Sequence, residues 1–185
     1  MVRALHLALA GAGDDPDVTA VILLGTGEAF SAGADLKEFL AGRPPLDQAL
    51  ERRGLGRLFI LIDGYRKPLV AAVNGDALGA GFGLVAACHL AVAVENARFG
   101  LPGVRLGIMP MTIMPPLFRS LPRKLGLELM LTGRLMSSVE AAGQGVVNGI
   151  VAPGELERAA ATLARSAATG LLPPKWSNNP LTIPE

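Results

Sequence analysis

The chain has 185 residues, enough for one domain with a real core and marginal for two. Half of it is apolar and the mean hydropathy is +0.41, which argues against intrinsic disorder. Seventeen Lys+Arg against 16 Asp+Glu leave a net charge of +1, which removes the main charge argument for a nucleic-acid or membrane-surface partner. A single cysteine, Cys88, excludes an intramolecular disulfide framework and a Cys-cluster zinc site, and fits a reducing compartment.

Residues 3–11 read as an amphipathic helix ending near Gly11 and Gly13, and Asp14-Asp-Pro-Asp17 as a turn. Thr19 to Leu24 is a short apolar run that predicts a strand buried on both faces. Leu46 to Ile62 has helical spacing, weakened by Gly54 and Gly56. Pro68 opens a second buried strand, Leu69–Val73, closed by the turn Asn74-Gly75. Gly79 to Gly83 then leads into a helical run from Leu84 to Cys88, and Leu90–Val94 is a third strand. The last 60 or so residues are expected to be helical, over 114–121, 125–131 and 155–168, with Ser137-Ser-Val-Glu140 as a capping box. Residues 171–185 are Pro-rich and read as an irregular tail. Strands alternating with helices place the chain in the α/β class, with no repeat and no clear linker. The longest nearly apolar run, Leu84 to Val94, is far short of the ~20 residues of a membrane span, and a cytoplasmic protein is expected.

Several motifs are absent. There is no P-loop, no His-Glu-x-x-His and no Gly-x-Ser-x-Gly, and the two histidines, His6 and His89, are far apart. Gly79-x-Gly81-x-Gly83 has its last glycine one residue early for a dinucleotide fingerprint. A serine peptidase would need a Ser with partnered His and Asp, and none is visible. Two segments do stand out: Ala29 to Glu38, directly after one buried strand, and Ala72 to Gly83, leaving another strand and entering a helix. Small residues at strand ends let a ligand approach the main chain, and free N–H groups at a helix start favour negative charge. Two such groups facing one oxygen would form an oxyanion hole. Spacing alone reads equally well as two Gly-rich turns that serve packing.

Phe30-Ser-Ala-Gly-Ala-Asp-Leu-Lys37 and Lys67-Pro-Leu-Val-Ala-Ala-Val-Asn-Gly-Asp-Ala-Leu-Gly-Ala-Gly81 resemble the two signature segments of the crotonase superfamily, the enoyl-CoA hydratase/isomerase group. Ala97–Pro102, Leu106–Pro110 and Leu129–Arg134 resemble its later blocks, so the likeness runs over about residues 17–165. It implies an α/β crotonase-like spiral of short sheets with surrounding helices. The spiral core would span 1–125 and a partial C-terminal helical region 126–170.

The same likeness implies an acyl-CoA thioester as substrate, with coenzyme A part of it and no separate cofactor or metal. The thioester oxygen would be held by the backbone N–H groups of Ala34 and Ala80. If position 80 needed a positive φ, its alanine would be strained. Ala32, Gly33, Asp35, Leu36 and Lys37 would contact the CoA moiety, Lys37 at the phosphates, and Gly79 and Gly81 would shape the second loop. The departures are informative. The two family glutamates that handle water and the α-proton fall at Gly83 and Gly103, and a third carboxylate position falls near Met111. None of the three can move a proton, so the hydratase mechanism cannot run unaided unless glutamates are restored at 83 and 103. Asp35, Asp76 and Glu28 are the nearest carboxylates in sequence, and Met109, Met111 and Met114 suggest an adaptable apolar lining. The alternatives are a decarboxylase, which needs the oxyanion hole but no strong base, or a non-catalytic acyl-CoA-binding or subunit-interaction protein. The likeness also implies a homo-oligomer, a trimer or hexamer. Family members normally carry strands before the first helix and more helix after about Ala168, so a truncated gene, a frameshift or a wrong start codon is expected to lie behind both ends.

Overall fold

The computed structural model describes residues 1–34 and 45–170, with the backbone alone for 45–52. Helix α1 (Val2–Asp14) buries Leu9 and runs through Gly11 and Gly13 before Asp15 turns extended ahead of Pro16. Its C-terminal end is pinned from afar. The Tyr65 hydroxyl donates to the Leu9 carbonyl at 2.8 Å, and the Lys67 ammonium donates to the carbonyls of Ala12, at 2.7 Å, and Asp15. A cation on the unpaired carbonyls of a helix end opposes the negative pole of its dipole. A β-carbon at Gly13 would lie 3.2 Å from the Tyr65 ring, so the small residue lets the tyrosine in.

Strand β1 (Val21–Leu24) follows, and then helix α2 (Pro45–Asp63), which buries Leu58, Phe59 and Ile62. Strand β2 (Leu69–Val73) has all five residues buried. Beyond it come the short strand β3 (Ala77–Leu78), helix α3 (Ala80–Ala87) and strand β4 (Leu90–Val94). Strand β5 (Arg98–Gly100) leads into two 3₁₀ turns, Pro102–Leu106 and Met111–Ile113. Helices α4 (Met114–Ser120) and α5 (Arg123–Thr132), strand β6 (Leu135–Ser137) and helix α6 (Ser138–Gly143) come next. Strand β7 (Gly149–Val151) and helix α7 (Leu156–Thr169) complete the described chain.

The strands form two sheets. One is fully parallel in the order β1-β2-β4-β7, with Val21 opposite Leu69, Val70 opposite Leu90 and Val92 opposite Gly149. Parallel neighbours need crossovers, and α7 supplies the cover, packing across β2, β4 and β1. Its buried residues Leu156, Ala159, Ala160, Leu163 and Ala164 fall at i, i+3, i+4, i+7 and i+8, one apolar stripe on an otherwise polar helix. The second sheet has the order β3-β5-β6, its first pair parallel and its second antiparallel. Among the described residues no helix is long and apolar enough to cross a membrane.

Three expectations need correction. The first strand is not buried on both faces: among the described residues β1 lies at the edge of its sheet, and Ile22 and Leu24 are 40% and 46% exposed. An apolar run looks the same at the edge and in the centre of a sheet, because the neighbour that would cover it is not local. Helix α3 starts at Ala80, not at Leu84; glycines that read as breakers are instead demanded by close contacts described below. The C-terminal third holds strands β6 and β7 among its helices. Each is three residues long, and long-range pairing sets it rather than local pattern. The tail at 171–185 lies outside the described residues.

The capping signal at 137–140 is fulfilled in part. The Ser137 hydroxyl accepts the Glu140 N–H at 3.2 Å. The Glu140 carboxylate does not reach back to complete the box. It takes two hydrogen bonds from Arg134, at 2.7 and 3.0 Å, while Glu128 takes a third from the same guanidinium at 2.6 Å. Hydrogen bonds from Arg134 hold the Glu140 carboxyl below its ordinary value. A depressed carboxyl stabilises the fold above the usual carboxylate range, and that contribution is lost as pH falls through its folded value. Glu140→Gln should therefore cost about 0.5–1 kcal/mol at neutral pH, discounted for partial exposure, and nothing in acid. Urea titrations of both proteins at the two pH values check this; a penalty that does not depend on pH contradicts it.

Candidate active site

The parallel sheet aims the ends of β1 and β2 at the same place. Past β1 the chain turns at Gly25, whose N–H donates to the Asn74 side-chain oxygen at 3.1 Å, and the Asn74 amide donates to the Gly27 carbonyl at 2.8 Å. One side chain thereby ties the two strand-end loops together. Residue 31 then runs beside β3 like a short extra strand: Ser31 N–H donates to Asp76 O at 3.1 Å and Leu78 N–H to Ser31 O at 2.8 Å. Gly79 N–H donates to Gly100 O at 2.9 Å on the other side. Asp76 is fixed as well, its carboxylate accepting from Arg98 Nε at 2.9 Å and Nη2 at 2.5 Å. The hydrogen bond to Asp76 raises the Arg98 guanidinium above its ordinary value.

These bonds bring the two sequence segments into direct backbone contact. Gly33 has φ +95°, and a β-carbon there would lie 2.8 Å from Leu78 O and 3.4 Å from Ala80 N. At Gly81 a β-carbon would lie 2.5 Å from Ser31 O. No side chain fits between the two backbones at either point. Gly79, the residue before α3, has φ +54°. Each of the two N–H groups at issue, on Ala34 and on Ala80, thus follows a glycine with positive φ, a conformation alanine avoids. Among the described residues no alanine has a positive φ, so the strain anticipated at Ala80 is absent; Gly79 carries the turn instead. As the first residue of a helix, Ala80 has no intrahelical acceptor for its N–H. Among the described residues nothing accepts the Ala34 N–H either. Ala32 and Ala34 are exposed, and Gly33 N–H turns back to the Ser31 hydroxyl at 3.3 Å. Asp35, Leu36 and Lys37 lie outside the described residues.

One helical turn beyond Ala80 lies Gly83, fully buried. A β-carbon there would be 2.7 Å from Ile113 Cγ2 and 3.0 Å from Phe59 Cζ. Those two apolar side chains fill the space that a larger residue at 83 would use. Gly103 is different: its nearest neighbour would be Ile108 Cβ at an ordinary 3.6 Å. A glutamate restored at 83 would have to displace Ile113 and Phe59, whereas one at 103 would not. Of the carboxylates named from sequence, Asp76 is engaged by Arg98 and Glu28 is exposed; Asp35 is among the undescribed residues. Met109 and Met111 are exposed and Met114 packs on the core, so the three methionines do not form one lining. His89 is structural, its Nδ1 accepting the Leu69 N–H at 3.1 Å. Burial pushes the Cys88 thiol up to about 12, which disfavours the reactive thiolate at neutral pH, although the residue as a whole is only half-buried. Among the described residues no cluster of His, Cys, Asp and Glu could hold a metal. Sequence reasoning missed Asn74 as a clasp, Arg98, and the pair Ile113 and Phe59. Only Asn74 had a signal, its place in an Asn-Gly turn after a buried strand.

Comparison with known proteins shows that this α/β architecture is the crotonase fold. The profile of the family described as Enoyl-CoA hydratase/isomerase matches residues 1–171, and the chain belongs to that family. It is 42% identical to carnitinyl-CoA dehydratase of Salmonella typhimurium over 157 residues, 82% of this chain and 58% of the relative. It is 35% identical to the mitochondrial enoyl-CoA hydratase domain-containing protein 3 of Rattus norvegicus, over 91% of this chain and 56% of that protein. The crystal structure of enoyl-CoA hydratase from Mycobacterium smegmatis superposes with a TM-score of 0.86 at 34% identity, covering 91% of this chain and 65% of the other. The chain thus spans less than two thirds of the length of each of these three.

Gly83→Glu should unfold the protein or cost more than about 3 kcal/mol, since it overpacks Ile113 and Phe59 and buries a carboxylate without a partner. Gly103→Glu should stay within about 1 kcal/mol of the wild type. Thermal melts of the two variants decide it; equal melting temperatures would mean that Ile113 yields easily.

Proposed function

We propose that the chain binds an acyl thioester of coenzyme A and holds its carbonyl oxygen between the backbone N–H groups of Ala34 and Ala80, stabilising the enolate that forms there. The observation that carries this reading is the pair of N–H groups, each placed after a glycine of positive φ, in two segments whose backbones touch. Donors fixed before the reaction need not reorganise as charge develops on the oxygen, and one such donor is worth about 10²–10³ in rate. Membership of an acyl-CoA-processing family supports the substrate class. Gly33 and Gly81 let the two segments pack backbone against backbone, while Ala32, Asp35, Leu36 and Lys37 are assigned to the CoA moiety by the resemblance alone. A cytoplasmic place in acyl-CoA or fatty-acid metabolism, and assembly into trimers or hexamers, belong to the same proposal.

The reaction at this site is set by what surrounds the donors. Gly83 and Gly103 carry no proton, and the space over Gly83 is apolar and filled. Hydration needs a positioned water and an acid, whereas loss of CO₂ from a malonyl-type thioester needs neither. In that step the bond from the α-carbon to the carboxylate carbon breaks. Its electron pair becomes the enolate, and the departing group leaves as CO₂. Solvent then protonates the α-carbon. The packing over Gly83 favours this second reading over hydration.

Two measurements test the proposal. Calorimetry with acetyl-CoA should show binding. Turnover of malonyl-CoA should exceed hydration of crotonyl-CoA. Ala34→Pro removes one donor at an exposed position. It should cut turnover by about 10²–10³ while the circular dichroism spectrum stays unchanged. Fast crotonyl-CoA hydration by the wild type would place an acid and base where none is assigned here. An Ala34→Pro protein of full activity would remove Ala34 from the site.

A further inference from the structure

We infer that Asn74 is a positioning residue for the two N–H groups: its side-chain amide bridges the place where the ladder between the two segments breaks off, and it thereby sets how Ala34 faces Ala80. This inference rests on the thioester reading above and adds the residue that fixes the spacing of the donors. Leu24 is the last residue of β1 to pair, opposite Ala72 of β2. Pairing resumes at Ser31, opposite Ala77. Between these points the first segment advances seven residues, 24 to 31, and the second only five, 72 to 77. A regular parallel ladder advances equally on both strands, so the first segment must fold up two residues before it can pair again. Asn74 lies in that gap. Its Oδ1 accepts the Gly25 N–H at 3.1 Å and its Nδ2 donates to the Gly27 carbonyl at 2.8 Å. One planar amide therefore holds both sides of the fold-up. The fit is close, since a β-carbon at Gly25 would lie 2.6 Å from Asn74 Oδ1.

The clasp is the first of a series of contacts that ends at the donors. After it, Glu28 O lies against Gly75, Ser31 bonds to Asp76 and Leu78, and Gly33 lies against Leu78 O and Ala80 N. Those later contacts are made by main chain. Among the described residues Asn74 supplies the only side-chain hydrogen bonds between segments 25–34 and 72–83. It is therefore the point at which a substitution reaches the spacing of the donors without touching either of them. Asn74 is half-buried and Gly27 exposed, so water can satisfy the groups that its removal frees. A water does not hold two loops at one fixed distance as a covalent side chain does. The fold then survives while the alignment of the donors loosens, and stabilisation of a developing oxyanion falls steeply with misplacement.

The probe is acetyl-CoA labelled at its carbonyl carbon, bound at saturation as shown by calorimetry, with the infrared band of the bound carbonyl as readout. The proteins are the wild type, Asn74→Ala, Asn74→Asp and a control, Asn148→Ala. Asn148 makes the same kind of bond away from the site, its Oδ1 accepting the Ala91 N–H at 2.9 Å. In Asn74→Ala the lowering of the band on binding should shrink by about half or more, the loss expected when one donor of two is misplaced. Asn74→Asp keeps the size and the acceptor for Gly25 N–H but sets an oxygen against the Gly27 carbonyl. It should shrink the lowering in the same direction, and it decides the matter if the alanine variant does not fold. Asn148→Ala should lower the melting temperature and leave the band of the bound ligand where the wild type has it. A full wild-type lowering in a folded Asn74 variant overturns the assignment and leaves the thioester site standing. An equal loss in Asn148→Ala overturns it too, because general loosening would then explain the effect. A wild type that fails to bind acetyl-CoA, or binds it with its band at the free position, overturns the thioester reading and this one together.

Discussion

Backbone lies directly against backbone where β1 and β2 end, and the candidate site depends on that contact. A β-carbon at Gly75 would sit 1.9 Å from Glu28 O, at Gly81 2.5 Å from Ser31 O, and at Gly33 2.8 Å from Leu78 O. Real β-carbons do not approach so closely, so the two loops can nest only as glycine. Nesting places the Ala34 and Ala80 segments side by side, and the hydrogen bonds through Ser31, Asp76, Leu78 and Gly79 lock the register. The ion pair of Asp76 with Arg98 adds little, because Arg98 is more than half exposed and solvent screens the pair. Steric fit and main-chain hydrogen bonds, not charge, hold this arrangement.

The rest of the molecule supplies a rigid frame for that contact. The central strands β2 and β4 are almost wholly buried between α7 on one side and α3 with its neighbours on the other. Close packing makes such a frame resist small displacements. Helix α1, clamped by Tyr65 and Lys67, braces the approach to β2 at the end opposite the site. The described side chains leave no buried polar atom unpaired.

Much of this was legible in the sequence. Leu69–Val73 and Leu90–Val94 announce themselves as buried strands by length and composition, and the glycine-rich segments mark where chain meets chain. The α/β class and the family follow from those residues. Exposure of β1 was not legible, because Ile22 and Leu24 look like core until the missing neighbour is known. Strands β6 and β7 were hidden because three residues carry no period. Ile113 and Phe59 were also hidden. They stand 30 and 24 residues from Gly83, and their role is defined by a contact that no local pattern encodes. Gly83 itself was conspicuous as an absent acid, yet its neighbours say more.

The central claim is that two fixed N–H groups polarise a thioester carbonyl. Isotope-edited infrared spectroscopy of acetyl-CoA labelled at its carbonyl carbon measures that directly. Two hydrogen bonds from fixed donors draw electron density onto the oxygen and weaken the carbon–oxygen double bond. Bound acetyl-CoA should show its carbonyl band at lower frequency than free acetyl-CoA, with Ala34→Pro recovering part of the difference. A band at the free position, from ligand shown by calorimetry to be bound, would contradict the account.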